Sequence, residues 1–172
     1  EFVTYARKYD IKPCFYYCIW GGSYNQKENA REMMMTQLDE LLTGYGKICL
    51  MWMDMANWRP EGVTVQGLYD FIKKRQPDTL VHFNQHIQDG TTIHYFPTDI
   101  VNGEERIPPG TGHVKLRKLE GQTYYLPFEY EICLQKVDED VGKGYTKGTR
   151  WFTYDKSHPA PINDLYPYIE QA

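Results

Sequence analysis

Three apolar stretches at intervals near thirty residues constrain this chain most: Ile11 to Trp20 (IKPCFYYCIW), Lys47 to Asp54 (KICLMWMD) and Leu80 to Asn84 (LVHFN). Between them lie segments with a helical period. Asn29 to Leu42 puts Met34, Leu38, Leu41 and Leu42 on one face before a stop at Gly44, and Thr64 can cap a helix that turns Val65, Leu68, Tyr69 and Ile72 inward and ends at Pro77. Strands separated by helices at this spacing predict βαβ units and a parallel sheet. A continuous apolar strand ending abruptly in a polar residue fits a sheet covered on both faces, whose carboxyl ends carry the chemistry.

Other segments are less regular. Glu1 to Tyr9 carries Phe2, Tyr5, Ala6 and Tyr9 at the spacing of an amphipathic helix that nothing caps, so the sequence reads as starting inside a helix. Beyond His86 the glycines and prolines predict an irregular stretch of working loops. Tyr124 to Leu134 (YYLPFEYEICL) reads as one further strand, and a last helix is expected from Asn163.

Composition narrows the function. The 172 residues hold 19 Lys and Arg against 23 Asp and Glu, a net charge of −4, which gives no basic stripe for displacing counterions from nucleic acid. No apolar run approaches the ~18 residues of a membrane span. Fifteen Tyr, seven Phe and four Trp supply flat amphipathic rings of the kind on which polyhydroxylated ligands stack, although on composition alone a tyrosine-rich core and surface is the leading account. The four cysteines leave the compartment open: Cys14 and Cys18 sit too far apart on one strand to bridge, and buried thiols are expected.

The residues able to do chemistry are carboxylates. Asp54 closes an apolar strand two residues after Trp52, where it serves either a ligand or a helix cap or loop ion pair. Glu104 and Glu105 fall in the irregular stretch, as site groups or as solvated charge. Glu129 and Glu131 alternate with Phe128 and Tyr130, so one strand face holds both, and because buried like charges are costly at least one must reach a polar site or solvent.

In this order the residues resemble the α-L-fucosidases, a family of retaining glycoside hydrolases. EFVTYARKYDIKPCFYYC is similar to the family's "A-x-K-Y-G-L-K-x-G-F-Y-Y-S" helix and third barrel strand, and TQLDELLTGYGKICLMWMD to "Q-L-x-E-L-L-T-x-Y-G-x-I-x-x-L-W-F-D-G". QPDTLVHFNQH, TDIVNGEERIP and FEYEICL followed by GY match later family patterns in the same order. The resemblance implies a (β/α)₈ TIM-barrel type of α/β fold, present as an incomplete barrel of about strands 3 to 6 or 7, with residues 1–172 forming part of a single catalytic domain. It implies Asp54 as nucleophile and Glu104 as general acid/base, with Glu105 and Glu131 as alternatives for the second role. Tyr16, Trp52, His86 and Glu131 are the implied substrate-binding residues. No cofactor or metal is expected, the partner is a fucosylated oligosaccharide or glycoconjugate rather than nucleic acid or membrane, and a secreted, periplasmic or lysosomal setting follows from the resemblance alone.

The chain also departs from the family. Met55 replaces the glycine after the nucleophile, Asp10 the glycine of "K-Y-G", and His86 an arginine whose bidentate geometry imidazole cannot reproduce. The two leading strands, whose histidines bind fucose hydroxyls, are not in the sequence. A non-catalytic carbohydrate-binding barrel and a glycosidase of another sugar preference are therefore the competing expectations.

Overall fold

A computed structural model describes residues 1–20, 27–86, 92–104, 115–131, 133–137, 148–149, 157–159, 161 and 163. It begins with α1 (Phe2–Lys8), β1 (Cys14–Cys18), α2 (Ala30–Thr43), β2 (Leu50–Asp54), α3 (Val65–Arg75) and β3 (Leu80–Phe83). These form a parallel sheet in the order β1-β2-β3, with Tyr16 opposite Trp52 and Trp52 opposite His82. The expected βαβ alternation is thus present, and all three expected strands lie in one sheet.

The sheet is two-faced because its residues alternate. Met51 and Met53 of β2 and Val81 and Phe83 of β3 pack with Met34, Leu38 and Leu42 of α2 and Leu68 and Ile72 of α3 in one buried cluster. Fully burying each such side chain stabilises the fold by about 1.5–3 kcal/mol. Thr64 caps α3 as expected, its Oγ1 accepting from Gly67 N at 2.9 Å. The alternate residues Tyr16, Trp52 and Asp54 face the other way, into a cavity.

β4 (Val101–Glu104) and β7 (Phe128–Glu131) form a second parallel pair, with Asn102 opposite Glu129 and Glu104 opposite Glu131. A parallel bridge from His82 to Ile100 joins β3 to the residues entering β4. Asp99 anchors that entry: it accepts from Tyr69 Oη and from Val81 N, each at 2.8 Å, and pairs with Lys73 at 2.7 Å. Between β4 and β7 lies the hairpin β5 (Leu116–Leu119) and β6 (Gln122–Tyr125), turned by Glu120 and Gly121 at φ of 48° and 82°, the two positive values that a type I′ turn requires. β8 (Gln135–Val137), β9 (Gly148–Thr149) and β10 (Ser157–Pro159) form a small antiparallel sheet. The described residues therefore make a mixed α/β fold of small sheets, without a closed barrel.

Several expectations need correction. The segment after His86 contains β4, so Glu104 lies at a strand end rather than in an irregular loop. The single strand expected over 124–134 is divided at Leu126-Pro127 into the end of β6, then β7, because proline cannot donate to a continuing ladder. On α1 the buried residues are Val3 and Ala6, whereas Phe2, Tyr5 and Tyr9 are exposed. Among the described residues β1 is the edge of its sheet, with Tyr16 60% exposed, rather than a strand covered on both faces. Of the cysteines only Cys133 is buried, while Cys18 and Cys49 are half-buried and Cys14 is exposed. The helix expected from Asn163 lies outside the described residues except for Asn163 itself.

Candidate active site

The carboxyl ends of β2, β3, β4 and β7 meet around a cavity of about 550 Å³, within the ~300–1,000 Å³ usual for small-molecule sites. Tyr16, Trp52, Asp54, Asn84, Glu104, Glu129 and Glu131 line it. Five of the sequence-derived candidates thus share one cavity: Tyr16, Trp52, Asp54, Glu104 and Glu131. His86 adjoins it through contacts with two of them, and Glu105 lies outside the described residues.

Asp54 is held on both carboxyl oxygens. Tyr16 Oη donates to Oδ2 at 2.5 Å, while Met55 N and Asn84 Nδ2 donate to Oδ1 at 2.7 and 3.1 Å. Met55 adopts the left-handed φ of 55° at the position where the resemblance expects glycine, so the backbone keeps the glycine-like turn at the cost of a side chain in a sparsely populated region. Burial opposes ionisation of Asp54, but the contacts from His86, Tyr16, Met55 and Asn84 outweigh it and hold the carboxyl at about 2. Burial and the bond to Asp54 push the Tyr16 phenol far up, so it remains a donor.

Asn84 Nδ2 also donates to Glu104 Oε2, at 2.9 Å. Because one amide nitrogen bonds Asp54 Oδ1 at 3.1 Å and Glu104 Oε2 at 2.9 Å, those oxygens are no further apart than the two bonds laid end to end. His86 spans the same pair, with Nδ1 3.2 Å from Glu104 Oε2 and Nε2 3.4 Å from Asp54 Oδ1, both charge contacts. Its contacts with Asp54 and Glu104 raise the imidazole to about 9 despite burial. His86 in turn lowers Glu104 against burial, with help from Asn84.

Glu131 differs. Asn102 Nδ2 donates to Glu131 Oε1 and also to Asn84 Oδ1 at 2.9 Å, so two buried amides connect the three carboxylates. Burial dominates at Glu131, and with the charges of Glu129, Glu104 and Asp54 it raises the carboxyl to about 7 despite the bond from Asn102. Glu129 lies against Trp52 Nε1, which donates at 3.3 Å, and His82 Nδ1, 2.8 Å away. Burial disfavours its charge, but these contacts leave it lowered. Both members of the 129/131 pair therefore reach polar partners, as like charges on one face require.

The aromatic rings form a layer beneath the carboxylates. Tyr16 and Trp52 lie 5.3 Å apart at 31°, and Trp52 meets His82 edge-on at 4.8 Å. Sequence reasoning missed Asn84, Asn102 and His82. Asn84 carried a usable signal, since it ends an apolar strand as Asp54 does, while Asn102 carried none. Among the described residues, no cluster of His, Cys, Asp and Glu is arranged to hold a metal.

With this geometry in view, the chain can be set beside known proteins. It is similar in fold to the alpha-L-fucosidase isoenzyme 1 from Paenibacillus thiaminolyticus, with a TM-score of 0.61 and 19% identity over 99% of this chain and 42% of that one. It is also similar to a protein from Bacteroides thetaiotaomicron assigned to the alpha-L-fucosidases, with a TM-score of 0.57 and 17% identity over 99% of this chain and 44% of that one. The chain thus spans less than half the length of either structure. No family profile and no curated protein matches it in sequence.

Proposed function

We propose that residues 1–172 are part of a (β/α)₈ catalytic domain that hydrolyses terminal α-L-fucosyl linkages of oligosaccharides or glycoconjugates by double displacement. The reading is carried by the amide of Asn84 shared between Asp54 and Glu104. Retaining glycosidases need two carboxyl groups ~5–5.5 Å apart and inverting ones ~6.5–9.5 Å, and two bonds to one nitrogen bring the facing oxygens of this pair closer than the inverting separation, which supports the retaining class. The parallel strands with site residues at their carboxyl ends support a barrel of this type, as does the likeness to the fucosidase structures.

In this mechanism ionised Asp54 attacks the anomeric carbon as the bond to the leaving oxygen breaks, and Glu104 passes a proton to that oxygen. Water, deprotonated by Glu104, then cleaves the ester, so two inversions give net retention. Tyr16 and Trp52 form an aromatic wall for the sugar, and His86 and Glu131 complete its polar surround. No cofactor is required by this chemistry.

A second assignment of the acid rests on one observation: Glu131, at about 7, holds a proton near neutrality when Glu104 does not. A general acid works best with a pKa near the operating pH.

Incubation with a fluorinated fucosyl fluoride, which slows breakdown of the intermediate, tests the reading. Mass spectrometry should find one fucosyl unit esterified to Asp54. An unmodified protein that still binds fucose would favour a carbohydrate-binding module instead.

A further inference from the structure

His86 occupies the position where the resemblance expects an arginine, and its two ring nitrogens reach both carboxylates assigned to the chemistry, at 3.4 Å from Asp54 and 3.2 Å from Glu104. Its backbone is left-handed, with φ of 46°, and its N–H is held by Asn84 Oδ1 at 3.1 Å. The same asparagine therefore holds the His86 backbone and both carboxyls. Glu104 in this arrangement is ionised and has no proton to give, yet hydrolysis with a poor leaving group needs one.

We propose, resting on the reading of Asp54 and Glu104 above, that His86 is the proton carrier of the site: its imidazolium recharges Glu104, and the two side chains act together as the general acid. The Nδ1–H bond breaks with its electron pair left on the ring, and the proton bonds to Glu104 Oε2. From there it moves to the leaving oxygen, whose bond to the anomeric carbon breaks as Asp54 forms its ester. In the second half a water proton returns through Glu104 to His86 while the water oxygen takes the anomeric carbon and the ester opens. Water is the only co-reactant.

The coupling follows from the charges. Two carboxylates favour the imidazolium at rest, and it holds its proton to about 9. When Asp54 becomes an ester, one of those charges vanishes, and the imidazolium loses stabilisation as the leaving oxygen needs its proton. Among the described residues, the titratable groups around His86 are Asp54 from β2 and Glu104 from β4 in direct contact, with Glu129 and Glu131 of β7 and Tyr16 of β1 on the adjoining cavity. Arginine could match the charge but not release the proton, because its pKa lies above ~12.

Imidazole titration by NMR, together with kinetics on two substrates, tests this. His86 should titrate far above the ordinary histidine value, and lower in both Asp54→Asn and Glu104→Gln. On an unactivated fucosyl disaccharide, His86→Gln and His86→Arg should each lose roughly 10²-fold or more in kcat. Their turnover of fucosyl fluoride, whose leaving group needs no proton, should fall by much less, since only the second half-reaction then draws on His86, and the basic limb of the disaccharide pH profile should move down in His86→Gln. Disaccharide turnover by His86→Arg within a few-fold of wild type would overturn the proposal, since charge alone would then suffice. An imidazole titrating at its ordinary value overturns it regardless of activity. A wild-type protein that turns over neither substrate, with His86 still titrating high, would instead overturn the reading of Asp54 and Glu104, leaving His86 as a structural ion partner.

Discussion

Tyr16 Oη donates to Asp54 Oδ2 at 2.5 Å, from a neighbouring strand and two residues before the carboxylate's own register partner, Cys18. The bond is one of those holding Asp54 well below its ordinary 3.8, at about 2. Tyr16→Phe should raise that value, and the acid limb of the kcat/KM profile should move up with it. The stability supplied by ionised Asp54 is present above pH 3.8 and fades as pH falls towards about 2. In the variant this contribution should be smaller and exhausted at a higher pH, which acid unfolding followed by circular dichroism would reveal.

Asp54→Ala should abolish turnover with the circular dichroism spectrum unchanged, because it removes the group that forms the covalent intermediate. Given an activated substrate and azide, Asp54→Gly should accumulate the β-fucosyl azide, as the anion enters the vacated space from the nucleophile's side. Chromatography of the products distinguishes it from the α-azide, and undiminished turnover in either variant would rule Asp54 out as nucleophile.

The two candidates for the acid separate by leaving group. Glu104→Ala should slow substrates with poor leaving groups by roughly 10²–10⁴-fold while sparing nitrophenyl ones. Glu131→Ala should show no such selectivity. The reverse pattern would move the acid role to β7.

Glu131 is a carboxyl whose value is raised by folding, from 4.5 to about 7, so the sign is opposite to that of Asp54. Its protonated form contributes stability fully below pH 4.5, and that contribution is lost as pH rises through about 7. Glu131→Gln removes the charge that the cavity resists. Its melting temperature should exceed that of wild type at pH 8, with the gap narrowing by pH 5.

Away from the cavity, Phe83 is fully buried among the α2 and α3 side chains, and Phe83→Ala should cost about 3–5 kcal/mol in chemical denaturation. Thr64→Ala removes a single cap bond from α3 and should cost about 1 kcal/mol. Equal losses from both changes would mean that α3 does not pack on β2 and β3 as described.

The sequence by itself determined β2, β3, α2 and α3, because each is specified by local rules: an apolar run of strand length, a 3.6-residue period, a threonine cap. It also marked Asp54, whose charge ends an apolar run where a buried strand must emerge. Periodicity is silent on what lies against a helix face, and so of the α1 stripe Phe2, Tyr5, Ala6 and Tyr9 only Ala6 is buried, with Val3 beside it. β4 was illegible for a related reason. Val101-Asn102-Gly103-Glu104 has no strand-like apolar pattern, and its extended form depends on pairing with β7 and on Asn102 Oδ1 accepting from Gln85 N at 2.8 Å. Only the tertiary structure brought Asp54, Asn84, Glu104 and Glu131 together from four strand ends, and only it set their charges apart. Ionisation depends on burial, nearby charge and hydrogen bonds, and these belong to neighbours distant in sequence: His86 and Asn84 keep Glu104 ionised, while burial among like charges keeps the proton on Glu131.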